Sequence, residues 1–122
     1  MPIIATSLLE YPDKHSVQMY AVVLVACPDV VFARKLARSL LRKRLIACAN
    51  ILPAIESMYW WKGRIESGCE MLLLLKTREK LFKRVEEEIR RHHPYEVPEI
   101  IMFQIKAGSG QYLEWINSET KR

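Results

Sequence analysis

This sequence lacks the patterns that mark secreted, membrane-spanning and zinc-stabilised proteins. Its three cysteines, Cys27, Cys48 and Cys69, are odd in number and show no C-x-x-C spacing, which argues against a disulfide framework and a structural zinc site. No apolar run approaches the ~18 to 20 residues of a membrane span, and no basic segment followed by an apolar stretch opens the chain. The sequence therefore predicts a cytoplasmic protein without membrane insertion.

Signatures of catalysis are also missing. There is no Gly-rich phosphate loop, no nucleophile elbow, and no Ser or Cys whose neighbours in sequence include an activating base. We therefore expect no enzyme and no required cofactor. The composition, half hydrophobic and 27% charged over 122 residues, indicates one ordinary globular domain.

Residues 1 to 18 have no sustained pattern and contain Pro2 and Pro12. We interpret them as a loosely ordered N-terminal extension before a single domain at 19 to 122. In that domain, Tyr20 to Ala26 is a β-rich apolar run, and apolar residues then recur at helical spacing at positions 33, 36, 37, 40 and 41. The pattern predicts a strand followed by a helix.

A long β-hairpin is predicted next. Leu45 to Tyr59 and Arg64 to Leu75 are rich in β-branched, aromatic or leucine residues, and Lys62-Gly63 lies between them as the turn. Pro53 and Gly68 are expected to mark bulges or bends in the two arms.

A second helix follows, with Thr77 as its expected cap, a mixed acidic and basic face that we expect to be solvated, and Pro94 as its end. Ile100 to Ile105 predicts a fourth strand. Gly108-Ser109-Gly110 then leads into a short C-terminal helix.

The order βαββαβα predicts an α+β fold of the ferredoxin-like type, a four-stranded antiparallel sheet with two helices on one face. Ala21 to Ala26, Met71 to Leu75 and Ile100 to Phe103 are apolar at consecutive positions, so the second face of the sheet also carries hydrophobic side chains. The C-terminal helix is too short to cover that face. We therefore predict that another subunit covers it.

Basic residues raise nucleic-acid binding as an alternative function. Arg34, Arg38 and Arg42 form an i, i+4 stripe on the first helix, and the net charge is +5. However, no aromatic residues alternate with these bases, and no recognition-helix or RNA-binding sheet motif appears. We interpret the stripe as a solvated face and predict no nucleic-acid partner.

The stretch from His93 to Ile100 combines a histidine, a tyrosine and two glutamates with Pro94 and Pro98. Each proline fixes its own φ and restricts the residue before it, so the polar side chains lie on a stiff loop. Such a loop is either a plain helix stop or a binding site.

Several segments in this order resemble the CutA family, from Tyr20 to Ile116. Besides His93 to Ile100, they are Ala47-Cys48-Ala49-Asn50-Ile51, Ser57-Met58-Tyr59-Trp60-Trp61-Lys62-Gly63-Arg64-Ile65, Leu74-Leu75-Lys76-Thr77 and Tyr112-Leu113-Glu114-Trp115. The resemblance implies a homotrimer of ferredoxin-like subunits linked to divalent-cation tolerance.

It also places a set of cleft residues between subunits. These are Tyr59, Trp61, Lys76, Tyr95 and Glu99. Two phenols, an indole, an ammonium and a carboxylate suit a small-molecule or anion ligand, and Lys76, at the end of a buried strand, has Glu99 as a candidate partner. The alternative is purely structural, with that pair and the aromatic rings stabilising the trimer.

Metal binding would use His92, His93 and Glu99, a ligand set that suits copper or zinc. Adjacent histidines seldom converge on one ion. In some bacterial members of the family, a cysteine of the first strand is proposed to bind copper. The matching residue here is Val25, and Cys27 lies about 6.5 Å further along the strand. We therefore expect copper or another divalent cation to bind weakly.

The resemblance thus implies a non-enzymatic, trimeric binding or regulatory protein associated with tolerance of divalent metal ions such as copper. An alternative is an assembly or anchoring partner for other proteins. Animal members of the family have been associated with such a role, in membrane-associated acetylcholinesterase-type complexes.

Overall fold

The structure is a computed structural model that describes residues 18–121. The predicted N-terminal extension, residues 1 to 18, lies outside this range except for Gln18. The elements are β1 (Tyr20–Cys27), α1 (Val30–Arg42), β2 (Cys48–Trp61), β3 (Arg64–Arg78), α2 (Phe82–His92), β4 (Ile100–Gln104) and α3 (Gly110–Glu119). The predicted order βαββαβα is confirmed.

The strands form one antiparallel sheet in the order β2-β3-β1-β4. In the central register, Leu24 of β1 pairs with Leu74 of β3 on one side and with Ile101 of β4 on the other. This is the arrangement of a ferredoxin-like fold, which confirms the predicted fold class.

Both long helices pack on one face of this sheet. Asp29 starts α1, since its carboxylate accepts a hydrogen bond from the Phe32 N–H at 2.8 Å. The core between helices and sheet consists of fully buried aliphatic side chains from β1, β3, α1 and α2. Its main members are Val23, Val25, Leu36, Leu40, Leu73, Leu75, Val85 and Ile89.

The opposite face of the sheet is only partly covered. The end of α3 lies there, where the Thr120 hydroxyl accepts a hydrogen bond from Nε of the buried Arg78 at 2.8 Å. Beyond it, Leu52, Ile101 and Phe103 are 38%, 44% and 55% exposed. We call this surface the exposed sheet face. The prediction of an apolar second face is thus confirmed.

The β2–β3 hairpin extends past the rest of the sheet. β1 ends opposite Met71, whereas β2 and β3 continue to pair from Ile55–Glu70 to Trp61–Arg64. The predicted turn is confirmed at Lys62-Gly63, whose φ angles of 51° and 78° match a tight hairpin turn.

The bulge predicted at Pro53 is confirmed, because Pro53 and Ala54 together oppose Met71. Of the bulge or bend expected at Gly68, the bulge is wrong, since Gly68 pairs in register with Ser57.

Two expectations about the second helix are also wrong. Thr77 does not cap it: Thr77 lies inside β3, where its buried hydroxyl donates to the Leu45 carbonyl at 2.6 Å. Glu88, expected on a solvated face, is only 2% exposed. The Glu88 side chain lies between α1 and α2, because Lys43 and Arg91 neutralise its charge there.

Candidate functional site

A cavity of about 790 Å³ lies at the base of the projecting hairpin. One wall is formed by residues 56–61 of β2 and Glu70 of β3, and the other by the loop from Tyr95 to Glu99. The cavity brings together four of the five predicted cleft residues, namely Tyr59, Trp61, Tyr95 and Glu99.

The loop that forms one wall is anchored by His93. The His93 side chain is buried, with Nε2 at 2.8 Å from the Ala26 carbonyl and Nδ1 at 3.2 Å from the Tyr95 N–H. A carbonyl oxygen can only accept, so Nε2 carries the proton and Nδ1 accepts. The ring also packs edge-on against Phe32, at 5.1 Å between ring centroids. It packs against the tilted ring of Tyr95 at 4.6 Å between centroids. His93 therefore fixes where the loop leaves the helix.

Tyr95 connects this loop to the hairpin. Its hydroxyl donates to a Glu70 carboxylate oxygen at 2.7 Å. Burial of the phenol, together with this hydrogen bond to a carboxylate, raises the pKa of Tyr95 well above its usual range. Tyr95 is thus a permanent hydrogen-bond donor that holds the two walls of the cavity together.

The lining of the cavity is acidic and aromatic. Four carboxylates line it, and no Lys or Arg is among the lining residues of the described chain. The carboxylates belong to Glu56, Glu70, Glu96 and Glu99. The aromatic residues Tyr59, Trp60, Trp61 and Tyr95 are also among the lining residues. Such a lining suits a cation better than the anion considered from the sequence, because carboxylates and the faces of aromatic rings both attract positive charge.

Cys27, near the cavity, is a protonated thiol. Its side chain is fully buried at the end of β1. Burial, with smaller contributions from Glu70 and Asp29, raises the pKa of the Cys27 thiol to about 12. Because metals bind the thiolate, Cys27 as placed here is a poor ligand.

Lys76, the fifth predicted cleft residue, lies elsewhere in the subunit. It pairs in the sheet with Val22 and Cys48, and its ammonium donates to the Asn50 side chain. It forms no ion pair with Glu99 within the described part of one chain. A contact between Lys76 and Glu99 across two subunits stays a prediction.

The predicted metal ligands are also separated. His92 is at 3.1 Å from Glu88 on α2, both ring nitrogens of His93 are engaged, and Glu99 lies on the cavity wall. Residues 18–121 contain no group of three His, Cys, Asp or Glu side chains arranged to hold a metal ion. The described part of a single chain therefore offers no preformed three-ligand metal site.

Sequence reasoning missed Glu56 and Glu70. Both lie on the hairpin, and Glu70 pairs in register with Ile55 next to the bulge. The available signal was that Glu70 directly precedes the apolar run from Met71 to Leu75. Without the position of the Tyr95 loop, however, nothing in the sequence connects Glu70 to that loop.

Together, the sheet order, the two helices on one face and the projecting hairpin define a ferredoxin-like α+β domain with an acidic, aromatic cavity at the base of its hairpin. The family model described as CutA1 divalent ion tolerance protein matches residues 21–119. This chain belongs to the CutA1 family.

Relatives from plants and bacteria support this assignment. The chain is 43% identical to Protein CutA 1, chloroplastic, from Oryza sativa over 100 residues, which are 82% of this chain and 56% of the relative. It is 40% identical to the divalent-cation tolerance protein CutA of Thermus thermophilus, covering 84% of this chain and 99% of the relative. The chain thus spans about half the length of the plant relatives.

Solved structures of other proteins also support the assignment to this family. The crystal structure of CutA1 from Oryza sativa matches with a TM-score of 0.82 at 42% identity, covering 84% of this chain and 94% of that one. The Thermus thermophilus structure matches with a TM-score of 0.83 at 40% identity, covering 84% and 100%. Among the described residues, no helix is both long and apolar enough to cross a membrane.

Proposed function

We propose that this chain is a non-enzymatic homotrimeric binding protein that acts in divalent-cation tolerance and holds a cationic ligand in the cavity at the base of each hairpin. The main support is the composition of that cavity, four carboxylates with aromatic rings and no lining Lys or Arg among the described residues. The role in tolerance is proposed from the names of relatives such as the Thermus thermophilus protein.

Assembly is supported by the surface of the subunit. The exposed sheet face presents Leu52, Ile101 and Phe103 to solvent, and covering such a face stabilises a protein by roughly 25 cal/mol per Å² of buried apolar area. The hairpin extends beyond the rest of the sheet, and we propose that it contacts a neighbouring subunit. The number of three subunits is proposed from the family.

The ligand class follows from the charge of the lining. Oxygen donors suit divalent cations, and indole and phenol faces suit organic ammonium groups. Since one chain holds no preformed metal cluster among residues 18–121, we propose that water or a neighbouring subunit completes the coordination of a metal ion. Copper is then a weak ligand of the isolated subunit.

Calorimetric titration tests this proposal. Metal-free protein is titrated with copper, zinc and tetramethylammonium, using the wild type, Glu70→Gln and Glu99→Gln. The matched control is Glu87→Gln, which removes an exposed carboxylate from α2. We expect each cavity variant to weaken cation binding about tenfold and the control to leave it unchanged. Equal affinity in all four proteins would overturn the assignment of this cavity.

An anchoring function is the second candidate, and one observation favours it. Met58, Trp60 and Ile65 on the projecting hairpin are 72%, 72% and 63% exposed, as expected for a surface that meets another protein. Quenching of Trp60 fluorescence by acrylamide, in a variant with Trp61 and Trp115 replaced by Phe, separates the two. A quenched Trp60 in the assembled protein supports an anchor, whereas a protected Trp60 means that the subunits themselves cover this surface.

A further inference from the structure

A second cavity lies on the helix side of the molecule and differs in charge from the first. It measures about 620 Å³ and lies between the end of α1, the middle of α2 and the last described residues of the chain. Of the described residues, six basic and two acidic ones line it. The basic residues are Arg42, Lys43, Arg44, Arg84, Arg91 and Lys121. We call it the basic groove.

Part of this positive charge is used to neutralise Glu88 at the bottom of the groove. Lys43 lies 2.9 Å and Arg91 lies 3.0 Å from its carboxylate oxygens, and the Ser39 hydroxyl donates to it at 2.9 Å. Led by the Lys43 hydrogen bond, these contacts lower the pKa of Glu88 to about 2. The buried carboxylate is therefore saturated with donors and leaves the surrounding field positive.

Three other basic residues of the groove take no part in neutralising Glu88. Arg42, Arg84 and Lys121 form no ion pair within residues 18–121, whereas Arg44 is paired with Glu119 at 2.8 Å. They come from α1, from α2 and from the segment after α3. The Lys121 N–H donates to the Arg44 carbonyl at 2.7 Å, which holds the C-terminal segment against the end of α1. Three unpaired cations from separate elements therefore meet in the groove. The Arg34–Arg38 part of α1, by contrast, lines neither cavity.

We propose that the basic groove is a binding site for a small, multiply charged anion of the oligophosphate class. Guanidinium groups match phosphate oxygens in pairs, and a Lys adds a point charge. No aromatic residue within residues 18–121 lines the groove, so the described surface offers no stacking partner for a base, which argues against nucleic acid. The site is independent of the proposed function, because α1 and α2 pack on the face opposite the exposed sheet face.

Titration calorimetry with inorganic tripolyphosphate tests this proposal on the full chain. We compare the wild type with the double variant R42Q/R84Q and with the control R34Q/R38Q. Both double variants remove two exposed Arg residues and therefore change the net charge equally, but only the first pair lines the groove. We expect one saturable site per chain, weakened at least about tenfold in R42Q/R84Q and less than about twofold in the control. Lys121→Gln, measured separately, should also weaken binding, and it replaces the double variant if that variant does not fold.

Several results would overturn the proposal. Equal weakening in both double variants would mean that tripolyphosphate responds to net charge alone. An absence of saturable binding to the wild type would also refute it. A third contradicting result is tight binding of a single-stranded oligonucleotide that tripolyphosphate does not displace, since that would identify a nucleic-acid surface.

Discussion

At the scale of single residues, Glu88 is a buried charge that joins the two helices. Ser39 and Lys43 reach it from the end of α1, and Arg91 and His92 reach it from its own helix. A carboxylate that is 2% exposed would be strongly destabilising without such partners. The cluster therefore fixes how α1 and α2 lie against each other.

This arrangement predicts a dependence of stability on pH. The hydrogen bond from Lys43, with those from Ser39 and His92, lowers the pKa of Glu88 from its ordinary 4.5 to about 2. Because the pKa is lower in the folded state, the stabilisation is complete above about 4.5 and is lost as the pH falls toward about 2. We expect Glu88→Gln to lower the free energy of unfolding by about 2 kcal/mol near neutral pH, and by much less at about pH 3.

Urea denaturation at both pH values measures this difference. Glu87→Gln, one position earlier and exposed, is the control and should follow the wild type. The interpretation fails if Glu88→Gln loses as much stability on acidification as the wild type does.

His93 shows what sequence could and could not predict at this scale. The two prolines predicted a stiff loop from His93 to Ile100, and the loop does wall the main cavity. The sequence suggested His93 as a metal ligand because imidazole is a common one. It could not reveal that the Ala26 carbonyl lies 2.8 Å from the ring, since that contact depends on how β1 and the loop meet in three dimensions.

At the scale of elements, the projecting hairpin carries one wall of the cavity and depends on its turn. Lys62 and Gly63 both have positive φ. A tight turn of this kind matches the twist of the two strands, and glycine adopts it without steric cost. The turn therefore sets the register that places Tyr59 and Trp61.

A pair of glycine substitutions tests this dependence. Gly63→Ala should lower the free energy of unfolding by about 1 kcal/mol, because an L side chain at a φ of 78° is strained. Gly68→Ala is the matched control, since an added Cβ there meets nothing within 4 Å, and it should be neutral or slightly stabilising. Thermal denaturation of both variants measures the difference. Equal effects of the two substitutions would show that the turn geometry does not matter.

Elements were more predictable than their ends. Sequence pattern predicted the strands and α-helices of the described residues, because apolar spacing follows directly from which face is buried. It did not separate the short 3-10 helix at Glu79–Leu81 from the α-helix that follows it. It placed the start of β2 at Leu45, whereas the strand begins at Cys48. Thr77 was expected as a cap because threonine often caps helices, but pairing with β1 keeps it inside β3.

At the scale of the whole molecule, the exposed sheet face is the feature on which the proposed assembly rests. Phe103 and Ile101 on β4 and Leu52 on β2 present apolar side chains that no described element covers. The sequence predicted this face from apolar residues at consecutive positions. It could not predict the number of subunits, because that number depends on the angle at which neighbouring subunits meet.

A charge placed on this face should prevent assembly. We expect Phe103→Asp to shift the protein to monomers and to lower its thermal stability, because assembly would bury an unpaired carboxylate. Val31→Asp is the control: Val31 is 71% exposed on the helix side, at the start of α1, where a carboxylate is well tolerated. Sedimentation velocity on both variants distinguishes them. Assembly of the Phe103→Asp protein would show that subunits meet elsewhere.

The most direct test of the central claim is native mass spectrometry of the wild-type chain purified without added metal. One spectrum gives the number of subunits and the mass of any ligand that they retain. The account predicts a dominant species of three chains, which takes up added cations without dissociating. A folded monomer as the dominant species at micromolar concentration would contradict it.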